Sequence, residues 1–113
     1  MTQPLIDLSQ LQTALTQFAQ ARDWEQFHSP KNLAMALTGE VGELVEIFQW
    51  LTEAESQLVG HHPHTAEAVR DELADVFIYL VRMAQTLEVD LNEAVVNKLK
   101  KNAEKYPVKE ETI

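Results

Sequence analysis

The chain has 113 residues, 45% of them hydrophobic, which fits one folded domain and excludes an extended disordered segment. Its 18 acids against 9 bases leave a net charge of −9, a surface that repels nucleic acid and anionic lipid, so neither is expected as a partner. It has no cysteine, no apolar run near membrane-span length and no basic, apolar leader at Met1–Pro4, so it reads as soluble, intracellular and cytoplasmic, without thiol chemistry.

Three glycines and no Asn-Gly or Asp-Gly pair give strands little support, whereas helix signals recur along the chain. A first helix is expected from near Asp7, with Gln10 in capping-box position, to about Arg22, on an apolar stripe of Leu8, Leu11, Leu15 and Phe18. A polar stretch from Asp23 to Ser29 follows. Ser29-Pro30 then supplies an N-cap and a proline at the first helical position of a second helix, which runs to about Leu51. Thr52 to Thr65 reads as a polar connection with Gly60, Pro63 and three histidines, with room for one short helical turn. Thr65 caps a third helix ending near Leu87. Asp90, with Glu93 three residues on, opens a fourth that stops before Pro107. The expectation is an all-α, four-helix-bundle-like domain spanning residues 1–113.

At about 100° per residue the second helix carries Leu37, Val41, Leu44, Phe48 and Leu51 in one stripe, edged by Glu40, Glu43, Ile47 and Trp50. The third helix repeats the layout: Val69, Leu73, Val76, Leu80 and Met83 make the stripe, flanked by Glu72, Asp75 and Tyr79. Two carboxylate pairs, Glu40-x-x-Glu43 and, after 28 intervening residues, Glu72-x-x-Asp75, thus stand in the same phase relative to their cores. That predicts an approximate internal two-fold with the acidic edges facing.

Any single E-x-x-E in an acidic helical protein is usually a pair of solvated acids. Here both pairs border a core stripe, and the base nearest Glu40 is Lys31, nine positions away, so helical salt bridges do not account for them. Four carboxylates at one spot repel unless a hard cation neutralises them, and oxygen-only ligands suit Mg²⁺, with Mn²⁺ as the alternative. A di-iron bundle would need Glu-x-x-His pairs, and neither helix has a histidine. The rival reading is a non-catalytic helical protein whose acidic face binds a partner or a divalent ion.

Other residues carry weaker signals. Gly39 and Gly42, mid-helix, suit close approach by a second helix or a ligand, helix packing being the commoner reason. Trp24 and Trp50 have the ring area to stack on a nucleobase, although tryptophan at helical spacing is more often core. Lys98 and Asn102 fit phosphate contact, against the plainer reading of a basic helix end. His61, His62 and His64 are better explained by loop composition than by metal binding.

Taken together, the carboxylate pairs resemble the signature of the MazG-like all-α nucleoside triphosphate pyrophosphohydrolases, and within that superfamily the dCTP pyrophosphatase branch. The denser part of the resemblance is Arg22-Asp23-Trp24-Glu25-Gln26-Phe27-His28, Pro30, Asn32-Leu33, Gly39-Glu40-Val41-Gly42-Glu43-Leu44 and Phe48-Gln49-Trp50. It continues through Glu72-Leu73-x-Asp75-Val76, Ile78-Tyr79-Leu80-Val81, Val89-Asp90-Leu91, Lys98, Asn102 and Tyr106-Pro107, covering roughly residues 8 to 107.

The resemblance implies house-cleaning hydrolysis of a nucleoside triphosphate, dCTP foremost, to the monophosphate and pyrophosphate. Glu40, Glu43, Glu72 and Asp75 would hold Mg²⁺ and carry the catalysis. Trp24, Glu25, Gln26, Phe27, His28, Trp50 and Tyr79 would form the base and sugar pocket, and Lys98 and Asn102 would meet the phosphates. One departure keeps dATP, dUTP or a modified nucleotide as alternatives: Leu15 stands where the dCTP-preferring relatives have a histidine. The third helix is apolar around most of its cylinder between Val76 and Ala84, so a homo-oligomer is expected, a dimer or the tetramer that the resemblance implies.

Overall fold

The structure is a computed structural model that describes residues 3–109, and it is all-α over them. Four long helices are present, α1 (Ser9–Ala21), α2 (Pro30–Phe48), α4 (Pro63–Thr86) and α5 (Leu91–Lys105), with a single-turn α3 (Glu53–Ser56) in the connection. None of the described helices is long and apolar enough to cross a membrane.

Local chemistry sets the boundaries. The Asp7 carboxylate accepts from both the backbone N–H and the hydroxyl of Ser9, at 3.1 and 2.8 Å, so α1 begins two residues beyond Asp7 and the capping box with Gln10 does not form. Ser29 Oγ accepts from Asn32 N–H at 3.1 Å and Pro30 occupies the first turn of α2, as expected. That helix stops at Phe48, short of Leu51, because Thr52 and Glu55 form a reciprocal capping box that starts α3. Thr65 does not cap α4. Its hydroxyl donates to the carbonyls of Val59 and His62, tying the helix start to a 3₁₀ turn at Val59–His61, while Pro63 opens the helix two residues earlier. Asp90 caps α5 through Glu93 N–H at 3.0 Å.

The ends of α1 and α4 share one device. Asp23 and Glu88 both take the left-handed conformation at φ 56°, and the next N–H reaches back to the carbonyl five residues earlier: Trp24 to Ala19 at 2.9 Å, Val89 to Ala84 at 2.8 Å. At α1 the reversal folds Trp24 onto Phe18, edge to face, with ring centroids 5.7 Å apart.

Packing centres on α2 against α4, with α1 crossing the C-terminal half of α4. α5 is not packed lengthwise on any of them; its start is pinned where Ile6 N–H donates to Asn92 Oδ1 at 3.0 Å. As a lone chain the four long helices therefore do not close into a bundle. Leu33 and Val81 are fully buried, whereas Val41, Leu51, Leu73 and Leu80, expected in the core stripes, are exposed. The cause is lateral: α1 covers the Val81 side of α4, and among the described residues nothing covers the side of Leu73, Phe77 and Leu80, which share about 60° of arc. The radius of gyration is 17.9 Å, against about 13 Å for a compact domain of this length.

Candidate metal and nucleotide site

α2 and α4 face each other with their acidic edges inward. One carboxylate oxygen from each of Glu40, Glu43 and Glu72 lies within 4.8 Å of the others. Asp75, one turn along α4, is close enough to act on the charge of Glu40 but stands outside this tight trio. Glu40 Oε2 and Glu72 Oε2 are sealed from solvent without a hydrogen-bond partner. A buried charged oxygen left unpaired is costly. Burial, reinforced by Glu40 and Glu43, pushes the Glu72 carboxyl up to about 7; burial, with Glu43 and Asp75 beside it, also raises Glu40.

The donor set fits a hard divalent cation. It is oxygen-only, anionic and supplied with orphaned buried oxygens, and His61, His62 and His64 lie exposed outside it. Proton and metal compete for these oxygens. For Glu72 the sign is fixed by a folded value near 7 against an ordinary 4.5: stability from its protonation is fully present below about 4.5 and lost as pH rises through about 7. We therefore expect the rise in Tm on adding Mg²⁺ to chelator-treated protein to grow from about pH 5 to about pH 8. Thermal melts with and without Mg²⁺ check this; a Mg²⁺ effect that is absent, or largest at acid pH, would rule out the cluster as a cation site.

Beyond the carboxylates, α4 continues the same strip: Glu72, Asp75, Tyr79 and Arg82 fall within about 80° of arc. Asp75 and Tyr79 line a cavity of about 240 Å³ together with Trp24, His28, Ile78 and Leu15. A second cavity of about 380 Å³ shares Trp24, His28 and Tyr79 as walls and adds Phe27, Asn32 and Ala36. Asp75, one turn along α4 from Glu72 and near enough to act on Glu40, is thus the carboxylate that borders this aromatic slot. Trp24 is half-exposed, with Phe18 packed against it and the ring of His28 6.4 Å away.

Other expected site residues do not converge in the single chain. Trp50 is 87% exposed beyond the end of α2 and lines neither cavity. Lys98 is exposed and Asn102 half-buried on the outlying α5. The Gln26 side-chain amide donates to the carbonyl and carboxylate of Asp23, at 3.0 and 3.3 Å, and so braces its own turn. Glu25 leans towards Arg82, 3.8 Å away. A Cβ on Gly39 or Gly42 would meet nothing within 4 Å, so helix packing within the chain does not explain these glycines. Arg82 and Asn32 were not expected at the slot. Arg82 is the one charged residue in the apolar stretch Val76–Ala84, and that was the available signal.

A helical hairpin with a facing carboxylate trio beside an aromatic slot defines an all-α protein with one acidic, slot-bearing face, and a profile of the MazG-like family matches residues 36–113. The chain belongs to the MazG-like family. It is 51% identical over 92 residues to the dCTP pyrophosphatase 1 of Rattus norvegicus, covering 81% of this chain and 54% of that protein. With dCTP pyrophosphatase 1 of Homo sapiens the identity is 52% over 91 residues, covering 80% and 54%. The chain spans about half the length of these curated relatives. The crystal structure of a pyrophosphatase from Archaeoglobus fulgidus is similar over nearly its whole length, with a TM-score of 0.84 and 37% identity, covering 96% of this chain and 99% of that one.

Proposed function

We propose that this chain is a Mg²⁺-dependent nucleoside triphosphate pyrophosphohydrolase, one that cleaves a deoxynucleoside triphosphate, dCTP foremost, with water to the monophosphate and pyrophosphate, as house-cleaning of the cytoplasmic nucleotide pool. The observation that carries this is the carboxylate trio shared by α2 and α4, followed along α4 by Asp75 and Tyr79 in the wall of the aromatic slot. Similarity to the dCTP pyrophosphatase 1 proteins and to the archaeal pyrophosphatase supports the same reading.

Each group then has a task. Trp24 and Tyr79 offer ring faces to the base, a contact worth roughly 1–3 kcal/mol. Glu40, Glu43, Glu72 and Asp75 would hold Mg²⁺, with Mn²⁺ as the alternative, and a carboxylate among them accepts the proton of the attacking water. When bound, the cation supplies positive charge that lets a −9 protein accept a triphosphate and offsets charge on the leaving pyrophosphate.

The reading includes a homo-oligomer, dimer or tetramer. Trp50, Lys98 and Asn102 do not reach the slot of their own chain, and the apolar face of α4 is uncovered. In the assembly, a neighbouring copy brings such residues to the site. Leu15 in the wall of the slot supports a second reading, the same chemistry on dATP, dUTP or a modified nucleotide, because an apolar wall contributes no hydrogen bond to select cytosine. One panel of nucleoside triphosphates with Mg²⁺, resolved by anion-exchange chromatography, decides. We expect dCMP and pyrophosphate from dCTP with the highest kcat/KM; another best nucleotide selects the second reading, and no turnover of any defeats both.

A further inference from the structure

Arg82 is only 8% exposed, and no step above uses its guanidinium. An arginine cannot shed its charge, so burying one is costly unless its donors find acceptors. Here they come from three elements. Nε–H donates to His28 Nδ1 at 3.0 Å. Nη1 donates to Gln85 Oε1 at 2.9 Å, with Thr16 Oγ1 at 3.5 Å. Glu25 Oε1 stands 3.8 Å from Nη2 on a half-exposed side chain. Gln85 is itself held by α1, its amide donating to Thr16 Oγ1 at 2.8 Å and to the Gln12 carbonyl at 3.2 Å. The network joins α1, α4 and the Trp24–His28 turn at one point, and Arg82 and His28 both line the slot there.

The chemical consequence falls on His28. Arginine offers donors and no acceptor, so the imidazole nitrogen it addresses must carry a lone pair. That leaves the proton of the neutral ring on Nε2. Imidazolium would set one N–H against another, and burial, then Arg82, lower the pKa of His28 against a smaller opposing effect of Glu25. Nε2 is neither bonded to another described residue nor sealed from solvent, while His28 borders both cavities of the slot.

We propose that Arg82 is a positioning residue that holds His28 as the Nε2–H tautomer, so that the imidazole presents a hydrogen-bond donor to an acceptor on the nucleobase edge, such as O2 or N3 of cytosine. This rests on the nucleotide reading above and adds a selecting group to it. A base with an N–H at that point would face donor with donor, and a buried polar group without a partner is what lets a site reject an analogue. The apolar Leu15 wall leaves this selection to His28.

The test is heteronuclear NMR on the intact protein labelled with [¹⁵N]histidine, at about pH 8 where histidines are neutral, with the His28→Gln spectrum assigning one resonance set among the four histidines. Wild-type His28 is expected to show a pyridine-type Nδ1 and a pyrrole-type Nε2. Arg82→Met should give a mixture of tautomers and raise KM for the best nucleotide by about tenfold, with kcat within about twofold, as for loss of one hydrogen bond to the base. Arg82→Lys, which also offers only donors, should restore the single tautomer. A proton on Nδ1 in the wild type overturns the proposal even if Arg82→Met fails to fold. So does a raised KM in Arg82→Met with the tautomer unchanged, which would make Arg82 a packing residue. Failure of every nucleotide in the panel defeats the functional reading; a wrong tautomer with normal turnover defeats this proposal alone.

Discussion

Glu43→Gln is expected to lower kcat by at least about 10²–10³ while leaving the far-UV circular dichroism of the protein unchanged. Glu43 is the exposed member of the trio, so its carboxylate has no packing duty that glutamine would fail to perform. The substitution keeps the shape and one oxygen but removes one of the charges that would hold the cation. Its effect on stability should run the other way. In chelator, removing one of several facing carboxylates relieves repulsion on Glu40 and Glu72, so Tm should rise as activity disappears. A residue needed only for the fold would lose both together. Glu46→Gln, also exposed and outside the trio, is the control and should turn over normally. Near-normal turnover of Glu43→Gln at saturating Mg²⁺ would reject the metal assignment.

Phe77→Glu is expected to break the protein into monomers and remove most of its activity. The single chain exposes 9333 Å², where a compact monomer of its mass exposes about 6300 Å². On α4, Leu73 is 53% and Phe77 44% exposed, with Leu80 beside them; Val41 and Val45 lie exposed on α2. An apolar surface this continuous is characteristic of an interface. A charge at its centre would have to be buried unpaired, at a cost large enough to dissociate the assembly. If the chain instead works as a monomer, Phe77 is a surface residue and its replacement should matter by less than about 0.5 kcal/mol. Light scattering with a parallel activity assay separates the two. Wild type should run as a multiple of 12.9 kDa and Phe77→Glu near that mass; an active 12.9 kDa wild type would refute the assembly.

Much of the site was readable because it is written in local periodicity. Glu40 and Glu43 are one turn apart on one helix, Glu72 and Asp75 on another, and their shared phase against the apolar stripes already implies two acidic edges. The Ser29 and Asp90 caps were legible for the same reason, since a cap is a contact across three residues. Even the early stop of α2 is written in Thr52 and Glu55, whose capping box overrides the apolar spacing that continues to Leu51.

What needed the tertiary structure was every relation between elements distant along the chain. Which side of α4 is covered depends on how α1 crosses it, so Val81 is buried while Leu73 and Leu80 are not, although all three are equally apolar. Arg82 reads in sequence as an interruption of an apolar run; its meaning lies in His28, Thr16 and Gln85, gathered from separations of 54, 66 and 3 residues. The tight trio of Glu40, Glu43 and Glu72, with Asp75 set towards the slot, likewise depends on how α2 and α4 meet. Helix phase is fixed by a repeat of 3.6 residues and is carried by the chain itself. The pairing of faces is fixed by which surfaces are left to bury, and that is decided only when the helices meet.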